Sequence, residues 1–137
     1  MTRVLAVDFG EKRIGLATGD TEASLATARR TISRSSDEDA VREIGRFCRE
    51  EQVEALLVGI PRSPEGVESA IAPRIRSFAE KLSRAIVLPL HFHEETLTSD
   101  EAARRLSGRP SRAGMDAEAA AVLLEDWLAH RGRETTA

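Results

Sequence analysis

Cysteine is almost absent from this chain, and so is any long apolar run. Cys48 is the single cysteine in 137 residues, which excludes an internal disulfide framework and a zinc site built on thiolates, and fits a reducing cytoplasm. No apolar stretch approaches the roughly 20 residues of a membrane-crossing helix. Met1-Thr2-Arg3 leads straight into a strand pattern, so no secretory leader is expected. Neither sign of charge dominates. The 20 basic and 23 acidic residues leave a formal net charge of −3, so any nucleic-acid contact must come from a local patch or through a metal ion. Repeats and low-complexity tracts are missing too. What remains, 41% hydrophobic and 31% charged, is the composition of a globular protein. One domain is expected over residues 1–131, followed by a flexible tail over 132–137.

The stretch that organises the rest is Val4-Leu5-Ala6-Val7-Asp8-Phe9-Gly10. Four apolar residues running into a turn signal read as a strand covered on both faces. Asp8 ends that run, and an unpaired carboxylate at a core edge costs several kcal/mol, roughly, unless something compensates it. A bland alternative is that Asp8 caps the turn at Gly10. A second strand is predicted over Ile14–Thr18, with Glu11, Lys12 and Arg13 at the hairpin, and a weaker third over Ser24–Ile32. Ser35 and Glu38 stand at capping-box spacing before a helix whose apolar face is Ala40, Val41, Ile44, Phe47 and Cys48. The run Ala55–Ile60 is then a buried strand reached by a right-handed crossover, so it lies parallel to the first.

A loop from Pro61 to Gly66 precedes a helix that Pro73 restricts to a start near Ala70–Ala72. The next apolar stretch, Ile86–Phe92, pairs regularly only beyond Pro89 and ends in His93-Glu94-Glu95. Thr98 and Glu101 open another predicted helix that stops at Gly108, and a final helix is expected from about Ala113 to His130.

Three acids stand apart in this pattern. Asp8 and Glu95 sit at the exits of buried strands, and Asp116 shares a helical face with Ala120, Leu123, Leu124 and Trp127. Parallel strands finish at one sheet edge, where open α/β sheets place their sites. Carboxylates converging there would repel one another, and Mg²⁺ or Mn²⁺, hard ions that take oxygen ligands, resolve that conflict. Two such ions, about 3.5–4 Å apart, can activate a water and stabilise the leaving oxygen in phosphodiester hydrolysis. His91 and His93 share one strand face; His93 stands near Glu95 and could bind metal or orient a carboxylate, although such a pair is more commonly structural.

The opening Asp8-Phe9-Gly10-Glu11-Lys12-Arg13-Ile14-Gly15-Leu16-Ala17 resembles the D-x-G-x-K-R-I-G-x-A of the YqgF family, ribonuclease-H-like proteins similar to Holliday-junction resolvases and described as pre-16S rRNA nucleases. Gly59-Ile60-Pro61 resembles the family's G-x-P, Glu94–Ser99 its D-E-R-x-[ST]-[ST], and Met115–Ala120 its closing D-x-x-A-A. The resemblance spans nearly the whole chain. It implies an α/β ribonuclease-H-like fold, a central mixed five-stranded sheet flanked by helices in the order βββαβαβα plus a C-terminal helix. It also implies metal-binding and catalytic roles for Asp8, Glu95 and Asp116, with one or two Mg²⁺ or Mn²⁺ ions. Lys12 and Arg13 would lie beside them, within reach of phosphate. Thr96 stands where the family usually has arginine. Arg104, Arg105, Arg109 and Arg112, in a segment without acids, could compensate by gripping the nucleic-acid backbone.

The function expected is therefore metal-dependent hydrolysis of structured nucleic acid, foremost precursor 16S rRNA, with ribosomal particles as a further partner, by a monomer or homodimer. A DNA-junction resolvase is the nearest alternative. A non-catalytic RNA-binding or ribosome-assembly factor on the same fold is the third. A sugar-kinase or actin-like ATPase also opens on an Asp-x-Gly hairpin, but needs two such domains and a second phosphate loop, for which 137 residues leave no room.

Overall fold

Val4 to Val7 are wholly buried because the strand that carries them, β1 (Arg3–Phe9), is covered on both faces. A computed structural model describes residues 1–23, 25–63, 65–96 and 114–135. β1 turns into β2 (Arg13–Asp20) and then β3 (Thr27–Ser33). Helix α1 (Asp37–Glu50) leads to β4 (Ala55–Arg62), and α2 (Ala72–Ala85) leads to β5 (Leu90–Thr96). The last element, α3, covers Met115–Thr135. The helix expected between Thr98 and Gly108 lies outside the described residues.

The strands form one mixed five-stranded sheet in the order β3-β2-β1-β4-β5. β1, β2 and β3 are joined antiparallel, whereas β1–β4 and β4–β5 are parallel. The two crossover helices and α3 occupy opposite faces. Leu5, Val7, Phe9, Leu56, Val58 and Ile60 point toward α1 and α2, where they meet Ile44, Phe47, Ile75, Phe78 and Leu82. The alternate residues Val4, Ala6, Ala17, Ala55 and Leu57 meet Ala120, Leu123, Leu124 and Trp127 of α3. Sheets covered in this way carry continuous apolar strands. The α3 side is lined with small residues, so that helix lies close.

Local boundaries shift from the sequence pattern for identifiable reasons. β3 begins later than Ser24 because Asp20 accepts hydrogen bonds from the backbone N–H of Glu22 (2.9 Å) and Ala23 (2.8 Å), prolonging the turn. The cap of α1 is Ser36, which accepts from Asp39 N–H at 3.1 Å. Ser35, at the expected position, instead donates to the Asp39 carboxylate at 3.0 Å. β5 starts just after Pro89, as that ring demands, and continues through Glu95. Cys48 is packed in the α1 core, and burial pushes its thiol up to about 11. It is an apolar filler, not a nucleophile.

Candidate active site at the carboxylate edge of the sheet

β1 delivers Asp8 half-buried, one residue before its end. In the hairpin register Asp8 lies opposite Gly15 of β2. Gly15 decides where α3 can go. A Cβ there would stand 1.8 Å from the carbonyl oxygen of Asp116 and 2.7 Å from the amide nitrogen of Ala117. Only a residue without a side chain admits the helix backbone to that distance. The first turn of α3 therefore rests on the strand position facing Asp8, and it brings Asp116 with it.

Two further contacts seat the turn. Thr31, the β3 partner of Gly15, accepts a hydrogen bond from Ala117 N–H at 3.1 Å. This satisfies an orphan donor of the helix start from another strand in place of a local cap. Gly114, just ahead, has φ of +92°, a left-handed conformation that favours glycine.

Glu95 reaches the same side from the other half of the sheet. His91 packs against Trp127 of α3 with ring centroids 5.3 Å apart, and His93 meets Asp126 of α3 at 3.3 Å. Strand alternation then turns Glu95 to the α3 face as well. Its rung partner is Pro61, two residues beyond Gly59, which pairs with His93. Asp8 and Glu95 thus stand at the C-terminal ends of parallel strands separated by β4, and Asp116 arrives over β2 between β3 and β1. Carboxylate oxygens at one sheet edge are the type of donor that a hard divalent cation takes.

Basic residues frame the acids. Arg13, the first residue of β2, forms an ion pair with Asp116 (Nε to Oδ2, 3.1 Å). The arginine that the resemblance puts beside the acids is thus a direct partner of Asp116. Lys12 is exposed at the hairpin tip. Arg104, Arg105, Arg109 and Arg112 lie outside the described residues.

Beneath the hairpin is a cluster that sequence reasoning missed. Asp37, at the start of α1, is only 5% exposed. Its Oδ1 accepts from Arg34 (3.0 Å) and Arg74 (2.6 Å), and its Oδ2 from Arg74 (2.9 Å) and Lys81 (2.8 Å). The hydrogen bonds from Arg74, then from Lys81, hold its carboxyl far below the usual carboxylate range against the cost of burial. Arg34 continues upward, donating its Nε to the carbonyl of Glu11 (2.7 Å) and its backbone N–H to that of Lys12 (2.9 Å). The turn beside Asp8 is thereby tied to the helical layer. Asp37 looked in sequence like an ordinary first-turn acid, and nothing local showed that three cations converge on it.

Replacing Asp37 by Ala strands those cations and should cost about 2–3 kcal/mol, below the usual cost of breaking a fully buried pair because Arg74 and Lys81 are partly solvated. Because the folded-state carboxyl ionises at lower pH than the unfolded one, its stabilisation is complete above the ordinary value of 3.8 and is lost as pH falls below it. Urea midpoints measured from neutral to acid pH should show this loss for the native chain and a flatter profile for Asp37→Asn.

Sequence comparison places this geometry among known proteins. Residues 2–130 match the model of a family described as RuvX, Holliday junction resolvase. The chain belongs to the RuvX family. A protein of Dechloromonas aromatica named "Putative pre-16S rRNA nuclease" is 42% identical over 133 residues, which cover 93% of this chain and 91% of the relative. One of the same name from Anaeromyxobacter sp. (strain K) is 39% identical over 134 residues, covering 94% and 98%. Among solved structures, RuvC of T. thermophilus in complex with a Holliday junction substrate has a TM-score of 0.61 at 14% identity, covering 96% of each chain. The fowlpox virus Holliday junction resolvase has a TM-score of 0.55 at 11% identity, covering 94% of this chain and 99% of that one. These likenesses establish the ribonuclease-H-like fold.

One departure of this RuvX-family chain acquires a structural context. Thr96 stands where the family pattern has arginine, and its rung partner on β4 is Arg62. Arg62 forms an ion pair with Glu94 and approaches Glu68 at 4.0 Å. A guanidinium is therefore supplied to the end of β5 from the neighbouring strand. Strand register alone reveals this, since the two positions are far apart in sequence.

Proposed function

We propose that this RuvX-family protein is a metal-dependent nuclease that hydrolyses phosphodiester bonds in structured RNA, with precursor 16S rRNA as substrate. The observation that carries the reading is the seating of α3 on Gly15, which brings Asp116 to the sheet edge that holds Asp8 and Glu95. The names of the curated relatives supply the substrate class. Asp8, Glu95 and Asp116 would hold one or two Mg²⁺ or Mn²⁺ ions, whose chemistry is to lower the pKa of a bound water and neutralise charge on the leaving oxygen.

The residues of the chain then divide the remaining work. Asp8 and Glu95, on rigid strands, fix the positions of their carboxylates relative to the scissile phosphate. Arg13, paired with Asp116, would offer its guanidinium to a phosphate oxygen of the substrate. Lys12 adds a second positive charge on the same hairpin. Arg104, Arg105, Arg109 and Arg112 extend the contact along the backbone, where sequence-independent affinity resides. Among the described residues no helix is long and apolar enough to cross a membrane. The protein would act in the cytoplasm on precursor RNA, either free or within ribosomal particles, as a monomer or homodimer.

Precursor 16S rRNA and a four-way DNA junction, incubated side by side with Mg²⁺ or Mn²⁺, test the proposal. Cleavage of the RNA that stops in EDTA is the expected result. Preferential cleavage of the junction would instead identify a DNA resolvase, for which a homodimer with two opposed sites is the natural form. Tight RNA binding in EDTA with no cleavage in either metal would identify a non-catalytic assembly factor.

A further inference from the structure

Behind Glu95, on the outer strand of the sheet, three side chains meet that the nuclease reading does not use. His93 of β5 faces Asp126 and His130, which lie four residues apart on one side of α3. His93 Nε2 is 3.3 Å from Asp126 Oδ2, and the rings of His93 and His130 are 5.1 Å apart at 61°. One potential ligand atom from each residue lies within 4.8 Å of the other two. A tetrahedral ion with bonds of about 2.0–2.1 Å holds its ligand atoms about 3.4 Å apart. Small side-chain rotations close that difference, and both helix residues are exposed.

We propose that His93, Asp126 and His130 form a binding site for a borderline divalent transition cation, of which Zn²⁺ is the type. Two imidazoles and one carboxylate favour zinc-like ions over Mg²⁺, which prefers oxygen ligands. The ring of His130 is oriented for the task. Its Nδ1 is 3.0 Å from the backbone carbonyl of Asp126, an oxygen that can only accept, so Nδ1 is the donor there and Nε2 is the nitrogen left to face an ion. Ligating histidines are held in this way by carbonyl partners. Three protein ligands leave a fourth position for water.

The position of the site gives it a consequence. Among the described residues β5 is the end strand of the sheet, paired with β4, and His93 precedes Glu95 by two residues on the same face. An ion at His93 would pin that edge to α3, the helix that also carries Asp116. The site is separate from the carboxylate centre and stands on its own geometry, whether or not the nuclease reading holds.

Binding of Zn²⁺ to the chelator-treated full chain, followed by calorimetry and by the visible spectrum of Co²⁺ in its place, tests the proposal. The native chain should bind the ion in a tetrahedral site and melt at a higher temperature in its presence. His130→Ala and Asp126→Asn change exposed positions and should still fold, but lose at least about tenfold in affinity, a scale that even supporting residues of metal sites reach. Asp8→Asn, which alters the carboxylate centre, should keep the same Co²⁺ spectrum and zinc affinity. Equal zinc affinity and equal thermal shift in the native chain, His130→Ala and Asp126→Asn would overturn the proposal. Loss of the tetrahedral spectrum only in Asp8→Asn would do so as well.

Discussion

Asp8→Asn lowers the rate of precursor RNA cleavage about 1000-fold at saturating Mn²⁺, a loss of about 4 kcal/mol of transition-state stabilisation. Asparagine keeps the shape of the side chain but removes the charge, and a neutral amide is a weak ligand for a hard cation. The buried strand around it is otherwise unchanged, so circular dichroism and the urea midpoint in EDTA should stay close to native values. Glu95→Gln should behave alike, because it stands at the end of the other parallel strand on the same face. A second measurement separates metal binding from chemistry. Addition of Mg²⁺ should raise the melting temperature of the native chain and raise it less in either variant. Native cleavage by the double variant, with both carboxylates removed, would refute the assignment of these acids.

Gly15→Ala should be the most damaging single methyl group in the fold. Its Cβ would meet the Asp116 carbonyl at 1.8 Å, and that neighbour is helix backbone, which cannot rotate aside. Either α3 lifts from the sheet or β2 bends away, and both disturb the core around Ala17, Ala120 and Leu124. The expected cost is about 3 kcal/mol, at the upper end of overpacking penalties, read as a shift in the urea midpoint. Displacement of Asp116 by about 1 Å should add a loss of cleavage on the order of 100-fold beyond the stability effect. Gly19→Ala, four rungs along the same strand pair, is the control. There the close neighbours are the end of the Leu124 side chain at 3.1 Å and the Leu25 carbonyl at 3.2 Å, so a few tenths of an ångström of adjustment should suffice. Equal behaviour of the two variants would show that α3 is not seated as described.

The pattern of residues revealed much about the sheet because its central strands β1 and β4 are covered on both faces. Val4–Val7 and Ala55–Ile60 had to be apolar throughout, and such runs identify buried strands without any knowledge of their partners. Pro89 and Pro73 placed the starts of β5 and α2 through their fixed backbone angle. Where a side chain reached back to the backbone the pattern was less exact. Asp20 delayed β3, and Ser36 capped α1 in place of Ser35, since neighbouring serines compete for the same amide and composition does not choose between them.

The acids illustrate the same division. Asp8, Glu95 and Asp116 were distinguishable in sequence because each is a charge attached to an apolar run, and charge is costly at a core edge. By itself the sequence singled out those residues, the two-sided burial of the strand that carries Asp8, and the family to which the chain belongs. β5, which carries Glu95 and was expected to be buried, instead ends the described sheet with His91 and Phe92 exposed. Only the tertiary structure decided what stands beside them. Arg13 against Asp116, three cations around Asp37, Arg62 beside Thr96, and His93 with Asp126 and His130 each join residues from separate elements. Long charged side chains on exposed positions carry no periodic signal, and their partners follow from strand register and from how closely a helix can approach. At the first residues of the chain that approach rests on one missing side chain, the Gly15 that faces Asp8.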